Sequence, residues 1–215
     1  MLKIWGRRNS FNVQKVLWLL GELGLSYKHI PAGGSFGRLD ESAFRALNPH
    51  GRVPVLQDDS VAIWESHTIL RYLAARYGRG SLWLEDPAAR AHVECWMDWS
   101  QTALQPDFLD GVFWRYYRTP EAQRDWPAIT KSLARCAEHL QLLDRILAKR
   151  TFLTGDRLSL ADIPVGTSLY RYFELDIERP DFPDVRAWYK RLQQRPAYRK
   201  YVMIPFEELR ARLDY

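Results

Sequence analysis

The sequence predicts an α/β unit followed by an all-helical half, on three observations. Residues 1–77 carry short apolar strand-type segments that alternate with helical periodicity, in the order β-α-β-α-β-β-α. Gly78 to Pro87 then interrupts the pattern with two Gly, a Ser and a Pro. Beyond residue 88 every periodic segment repeats at helical spacing. The expected domains are 1–78, a linker over 79–87, and 88–215.

Each element has a local reason. Residues 2–5 form a short apolar strand. Val13, Val16, Leu17, Leu20 and Leu23 share one helical face over 12–24, and Gly24 closes that helix. Tyr27 to Ile30 is a second strand. Pro31, three Gly and Ser35 make 31–38 a loop. A short helix or turn is expected over 40–46. Val53–Gln57 and Val61–Trp64 read as strands joined by Asp58-Asp59-Ser60, a hairpin-type turn. Residues 66–77 are helical, with Ile69, Leu70 and Leu73 facing inward. In the second half, long helices are expected over 88–118 and 121–149, shorter ones over 159–173, 183–194 and 196–202, and a tail helix over 206–213. Ser159-Leu160-Ala161-Asp162 matches a capping box with Asp in the acidic place. The Ser159 hydroxyl should accept from the N–H of Asp162, and the carboxylate should reach back to the N–H of Ser159. This is a folding signal.

Composition bounds the partners. The chain has 215 residues, 47% hydrophobic and 27% charged, with nine Trp. That is ample material for a core. Residues 1–80 hold 11 Lys/Arg against 6 Asp/Glu, whereas 81–215 hold 20 of each. The first third therefore carries all of the net charge of +5 and favours an anionic small ligand there. No basic run or base-stacking motif supports nucleic acid as the partner. The start, Met1-Leu2-Lys3-Ile4-Trp5, lacks the apolar run of a secretory signal, and no window approaches the ~20 apolar residues of a membrane helix. The expectation is a cytoplasmic protein without a membrane segment. Cys95 and Cys136 stand outside any metal or redox spacing and are expected to be reduced, partly buried thiols. The histidines show no metal spacing, so no metal is expected.

The most informative stretch is Asn48-Pro49-His50-Gly51-Arg52-Val53-Pro54-Val55-Leu56, followed by Trp64-Glu65-Ser66-His67. A strand that opens on Pro leaves a backbone edge unpaired there. Val53, before the proline, is pushed into an extended conformation, and its N–H and C=O can pair with an extended peptide. Glu65-Ser66 sets an acceptor and a hydroxyl beside the free N–H groups of a helix start, where a carboxylate binds well. A small peptide with a carboxylate and an amine is the natural guest. A second helix start follows Trp5-Gly6-Arg7-Arg8-Asn9-Ser10-Phe11-Asn12, where Ser10 or Asn12 would serve as N-cap.

These residues resemble the glutathione transferase family: the Asn-Pro turn, the Val-Pro pair and the Glu-Ser pair, over nearly the whole chain. The resemblance implies a thioredoxin-like N-terminal domain that binds glutathione and an all-α domain that contributes the hydrophobic substrate site. It implies a cis peptide at Pro54, cysteinyl pairing to Val53, and the γ-glutamyl end held by Glu65 and Ser66. Arg52 and His50 would meet the glycine carboxylate. Ser10 takes the place of the sulfur-stabilising hydroxyl of theta-, delta- and nu-like members, and Asn12 matches the Asn that some bacterial nu-type members set beside the sulfur. The same loop holds no Tyr and no Cys, unlike the tyrosine- and cysteine-using classes. Phe11, Trp99, Phe108, Phe113 and Trp114 are the aromatic candidates for the second substrate. The implied activity is attack of the glutathione thiolate on an electrophile, in detoxification, by a cytoplasmic homodimer. Glutathione-dependent disulfide reduction is the alternative, and a non-catalytic docking module is the rival from another class.

Overall fold

The structure, a computed structural model, describes residues 1–213; the last two residues of the expected helical domain, 214 and 215, lie outside the described residues. Two compact units share the chain. One spans Met1–Trp83 and takes in Ala197–Pro205, and the other spans Leu84–Pro196 and Phe206–Leu213.

The first unit contains β1 (Leu2–Trp5), α1 (Phe11–Glu22), β2 (Tyr27–Ile30), α2 (Ser42–Leu47), β3 (Val55–Asp58), β4 (Val61–Trp64) and α3 (Ser66–Tyr77). Its sheet runs β2-β1-β3-β4. β1 lies parallel to β2, with Ile4 opposite His29, and antiparallel to β3, with Ile4 opposite Leu56. The parallel pair is joined through α1, as a crossover requires. Trp5, Phe44, Val55 and Trp64 gather around one apolar cluster, with Trp5 edge-on to Phe44 at 5.8 Å.

α1 is mostly apolar, interrupted by Gln14 and Lys15, and Val13, Val16, Leu17, Trp18, Leu19 and Leu20 are all fully buried. A helix of that kind needs cover on both faces. α3 packs on it, and Ala197–Pro205 supplies further cover: Trp18 meets Tyr198 edge-on at 4.8 Å, and Gln14 donates to the Val202 carbonyl. The helix is closed at Gly24 by a Schellman pair of bonds, Leu25 N–H to the Leu20 carbonyl and Gly24 N–H to the Gly21 carbonyl.

Two expected boundaries are corrected here. β3 begins at Val55, so Val53 and Pro54 precede the strand, because the sheet register ends at the Trp5–Val55 pair. The hairpin turn is only Asp59-Ser60, because Asp58 pairs with Val61. The Asp58 carboxylate accepts from the Tyr72 and Tyr77 hydroxyls, which holds it in the strand.

In the second unit, α4 (Pro87–Trp99) begins where the Asp86 side chain accepts from the N–H of Ala89. The chain continues with wider π-helical turns over Ser100–Leu104 and Pro106–Arg118, so the expected 88–118 helix is not a uniform α-helix. Pro106 has no N–H for the regular ladder, which accounts for a departure at that point. α5 (Trp126–Leu147) starts five residues later than expected. The Asp125 carboxylate caps it through Ala128, and Glu121–Gln123 is a separate short 3-10 turn. α6 (Asp162–Glu174), α7 (Pro183–Gln193) and α8 (Pro196–Tyr201) follow. The expected tail helix is reduced to a 3-10 turn over Glu207–Leu209.

The capping box forms in one direction only. The Asp162 carboxylate accepts from the Ser159 N–H at 2.8 Å and from the Leu153 N–H at 3.0 Å. The Ser159 hydroxyl, however, takes the Ala161 N–H, and Asp162 N–H goes to the Ser159 carbonyl. Burial pushes the Asp162 carboxyl up to about 6 against the pull of these donors. Asp144 of α5 caps α7 in a similar way, accepting from the N–H groups of Asp184 and Val185 at 2.8 and 2.9 Å.

Candidate functional site

Ser10 occupies the N-cap position of α1, in extended backbone and 9% exposed. Its carbonyl accepts the Gln14 N–H, but its hydroxyl makes no capping bond, so the helix does not consume it. Asn12 is not the cap. It is the second residue of the helix, and its Oδ1 is buried with no hydrogen-bond partner. A buried orphan acceptor calls for a ligand donor or water. Phe11 lies between them and is buried, with the Lys15 ammonium 4.9 Å from its ring centre. It packs as core rather than opening onto a pocket.

The loop before α1 is braced from β2. His29 Nε2 donates to the Gly6 carbonyl at 2.7 Å, and burial holds that imidazole below its ordinary range. Gly6 has φ +149°, and a Cβ there would stand 2.5 Å from Val13 Cγ2 and 3.3 Å from Val53 Cβ. That spacing brings the loop carrying Ser10 against the Val53 segment, and only glycine fits the approach.

The Val53–Pro54 peptide is cis, as the resemblance implied. Val53 lies two residues before β3 and outside the sheet register, with its side chain on the apolar cluster. The turn leading to it is organised by buried Asn48. The Asn48 Nδ2 donates to the Arg52 carbonyl at 2.8 Å, and its Oδ1 accepts the His50 N–H at 3.0 Å. Arg52 is exposed, and His50 is exposed with its ring 5.0 Å from that of Trp64. Glu65 holds the N-cap position of α3 at φ +69°, ψ +115°, without a side-chain cap bond. A non-glycine residue there stores roughly 1–3 kcal/mol of strain, a cost that clusters at ligand sites. Ser66, the first residue of α3, is buried.

Three residues that matter here escaped the sequence reading. Asn48 was legible only as part of an Asn-Pro turn. Lys15 and His67 were not singled out at all. Lys15 is 1% exposed, and its Nζ is 3.2 Å from His67 Nε2. Burial lowers the Lys15 ammonium to about 7, with Glu65 pulling it back up. Burial first, then Lys15 and Arg71, hold His67 far below its ordinary range and therefore neutral. The available signal was a Gln-Lys pair interrupting an otherwise apolar helix.

The aromatic candidates of the helical unit are not brought into one pocket. Phe108 is buried and lines a small apolar cavity with Leu104, Cys136, Leu140 and Tyr172. Phe113 is buried beneath the Arg171 guanidinium, 4.5 Å from its ring centre. Trp99 stands edge-on to Trp96 and His139, and Trp114 lies 3.6 Å under the Arg118 guanidinium. Trp99 and Trp114 remain half-buried. Cys95 is exposed rather than partly buried, whereas Cys136 is buried and its thiol pushed up to about 12. Among the described residues no group of His, Cys, Asp or Glu is placed to hold a metal ion, and no helix is long and apolar enough to cross a membrane.

Comparison with known proteins agrees with this geometry. Residues 5–81 match the glutathione S-transferase N-terminal domain, and residues 97–196 match the C-terminal domain. The chain is 43% identical over 207 residues to glutathione S-transferase GstB of Escherichia coli K12, covering 95% of this chain and 99% of that one. It is similar to the crystal structure of the theta class glutathione S-transferase from Xanthomonas axonopodis pv. citri with glutathione bound. The TM-score there is 0.89, with 47% identity and coverage of 95% and 98% of the two chains. It is also 28% identical to the transcriptional regulator URE2 of Saccharomyces cerevisiae, over 90% of this chain and 65% of that protein. With both domain models matched in order around a cis Val-Pro and a strained Glu-Ser helix start, the chain belongs to the glutathione S-transferase family.

Proposed function

We propose how this glutathione transferase works: Ser10 holds the thiolate of glutathione, its co-substrate, and the start of α3 holds the γ-glutamyl end. The observation that carries the reading is Ser10 itself, an N-cap residue whose hydroxyl is left uncommitted at a helix start. A thiol of ordinary pKa ~8.5 is mostly protonated at neutral pH. A donated O–H and the positive end of α1 favour the anion, and a shift of ~2 units corresponds to ~2.7 kcal/mol. Asn12, the second residue of the same helix, is the further candidate beside the sulfur, and its buried Oδ1 has no protein partner. Val53 pairs its backbone with the cysteinyl part. Glu65 takes the ammonium, and Ser66 takes the carboxylate. Arg52 and His50 meet the glycine carboxylate.

In the transfer, the bound thiol gives its proton to solvent. The sulfur lone pair forms a bond to the electrophilic carbon, and the leaving group departs with its electron pair. In the disulfide alternative the same thiolate attacks one sulfur of a disulfide. The S–S bond breaks and a thiolate leaves. A second glutathione thiolate then resolves the mixed disulfide, giving oxidised glutathione and a second thiol. The protein supplies positioning and charge stabilisation and forms no covalent intermediate itself.

The N-terminal segment 1–78 is the glutathione-binding domain of this reading, and 88–215 supplies the hydrophobic site, with half-buried Trp99 and Trp114 as its aromatic members. The enzyme works as a cytoplasmic homodimer in detoxification. A purely docking role has no use for an uncommitted hydroxyl at the start of α1.

The test is the thiolate absorbance of bound glutathione as a function of pH. In Ser10→Ala the titration should move up toward ~8.5 and turnover should fall at least about tenfold. An unchanged titration and turnover in both Ser10→Ala and Asn12→Ala would overturn the assignment. An aryl halide set against a 2-hydroxyethyl disulfide, each with glutathione, decides between transfer and reduction.

A further inference from the structure

We propose that Lys15 is a buried positioning cation of the glutathione site, taking up a proton when the anionic ligand binds at the starts of α1 and α3. The inference rests on the reading that Glu65 and Ser66 hold the γ-glutamyl end. A lysine that is 1% exposed inside an apolar helix is costly unless its charge is used. Its place makes it useful. Lys15 stands one turn after Phe11, over that ring, and its Nζ reaches His67 Nε2, on the second residue of α3. The ammonium therefore sits where α1 and α3 meet, beside His67 and in the field of Glu65.

Groups on α3 and α1 bear on it. From the start of α3, Glu65 favours the ammonium. His67 is neutral, with Nε2 at hydrogen-bond distance from Lys15 Nζ and Nδ1 buried with no partner. Arg71, one turn further along α3, acts on His67. On α1 the neighbour is the Phe11 ring. In the ligand-free protein, burial leaves Lys15 near its midpoint at neutral pH. A γ-glutamyl carboxylate, and then a thiolate, adds negative charge at the same two helix starts and favours the ammonium. By linkage, ligand binding then draws a proton from solvent. The proton goes to the Lys15 amine, and no bond in the ligand changes. The ammonium acts on the ligand through Glu65 and the α3 start rather than by touching the reacting sulfur.

The probe is S-methylglutathione, whose blocked sulfur removes the thiol's own proton release. Calorimetry at pH 8 in two buffers of different ionisation heat measures the protons exchanged on binding. Wild type should take up about half a proton or more. Lys15→Met should take up none and bind more weakly. Lys15→Arg keeps its charge at all accessible pH and should bind without uptake. Ser66→Ala separates the two levels. If Ser66→Ala binds as tightly as wild type, the site reading falls and the inference falls with it. If Ser66→Ala weakens binding while wild type takes up no proton, or Lys15→Met takes up as many as wild type, the inference alone is overturned.

Discussion

Lys15 Nζ lies 3.2 Å from His67 Nε2, a contact that ties the second turn of α1 to the first turn of α3. It predicts a distinctive stability profile. The folded-state pKa of Lys15 is about 7, below its ordinary 10.5, so between those values the unfolded chain holds a proton that the native state has lost. Stability contributed through this group therefore rises as pH increases from about 7 to 10.5, and the full cost of the buried ammonium is felt below pH 7. The cost is on the order of 5 kcal/mol. Lys15→Met should raise the melting temperature, more at pH 6 than at pH 10. Thermal melts at the two pH values check it, and equal shifts at both would contradict the buried-ammonium account.

Glu65 makes the opposite case, a non-glycine residue held at positive φ at the start of α3, and the proposed site gives that strain a use. Its φ of +69° is comfortable for glycine. Glu65→Gly should leave the ligand-free protein as stable or up to about 1 kcal/mol more stable, while glutathione binding weakens at least about tenfold. Thermal melts and titration calorimetry on one preparation separate the two effects.

Asp162 is a folding residue despite its charge. Its two oxygens satisfy the N–H groups of Leu153 and Ser159 inside the helical unit. Asp162→Ala leaves both donors buried and unmatched, at a cost of about 3 kcal/mol. The measurement is urea unfolding, and a loss below about 0.5 kcal/mol would count against the assignment.

Gly111 marks a close approach of the π-helical turns to α5. A Cβ there would fall 2.4 Å from Ser132 Oγ and 2.7 Å from Ser132 Cβ. Gly111→Ala should destabilise by about 1–3 kcal/mol through overpacking. Ser132→Gly in the same chain should recover most of it. A double-mutant cycle with additive losses would show that the approach is looser than described.

Phe108 and Trp99 separate core from pocket. Phe108 is 1% exposed, so Phe108→Ala should cost about 3–5 kcal/mol of stability. Trp99→Ala should cost less, and should instead raise KM for a hydrophobic co-substrate with KM for glutathione unchanged. Steady-state kinetics with each substrate varied in turn reads the difference.

Much of the first unit was legible because its signals are local. The 27–30 strand and the 66–77 helix fall where periodicity and turn residues put them, and Glu65-Ser66 falls at the start of α3 as expected. Boundaries set by partners were less legible. β3 starts at Val55 because its register with β1 ends there, and no propensity in Val53-Pro54-Val55 encodes that. The tail over 206–213 shows a helical pattern, yet a three-residue turn is all that forms before the chain is drawn into contacts at Tyr117 and Arg118.

By itself the sequence determined the α/β first half and the helical second half, and it set apart Val53-Pro54, Glu65-Ser66 and Ser10 as candidates, because each of those signals depends on neighbours within a few residues. Only the tertiary structure decided that Asn12 is not the cap, that Phe11, Phe108 and Phe113 are core, and that a lysine stands buried where two helix starts meet. Burial and charge environment arise from segments far apart in the chain, such as Lys15 and His67. No local pattern can carry them, because the contact between Lys15 and His67 exists only once α1 and α3 have packed together.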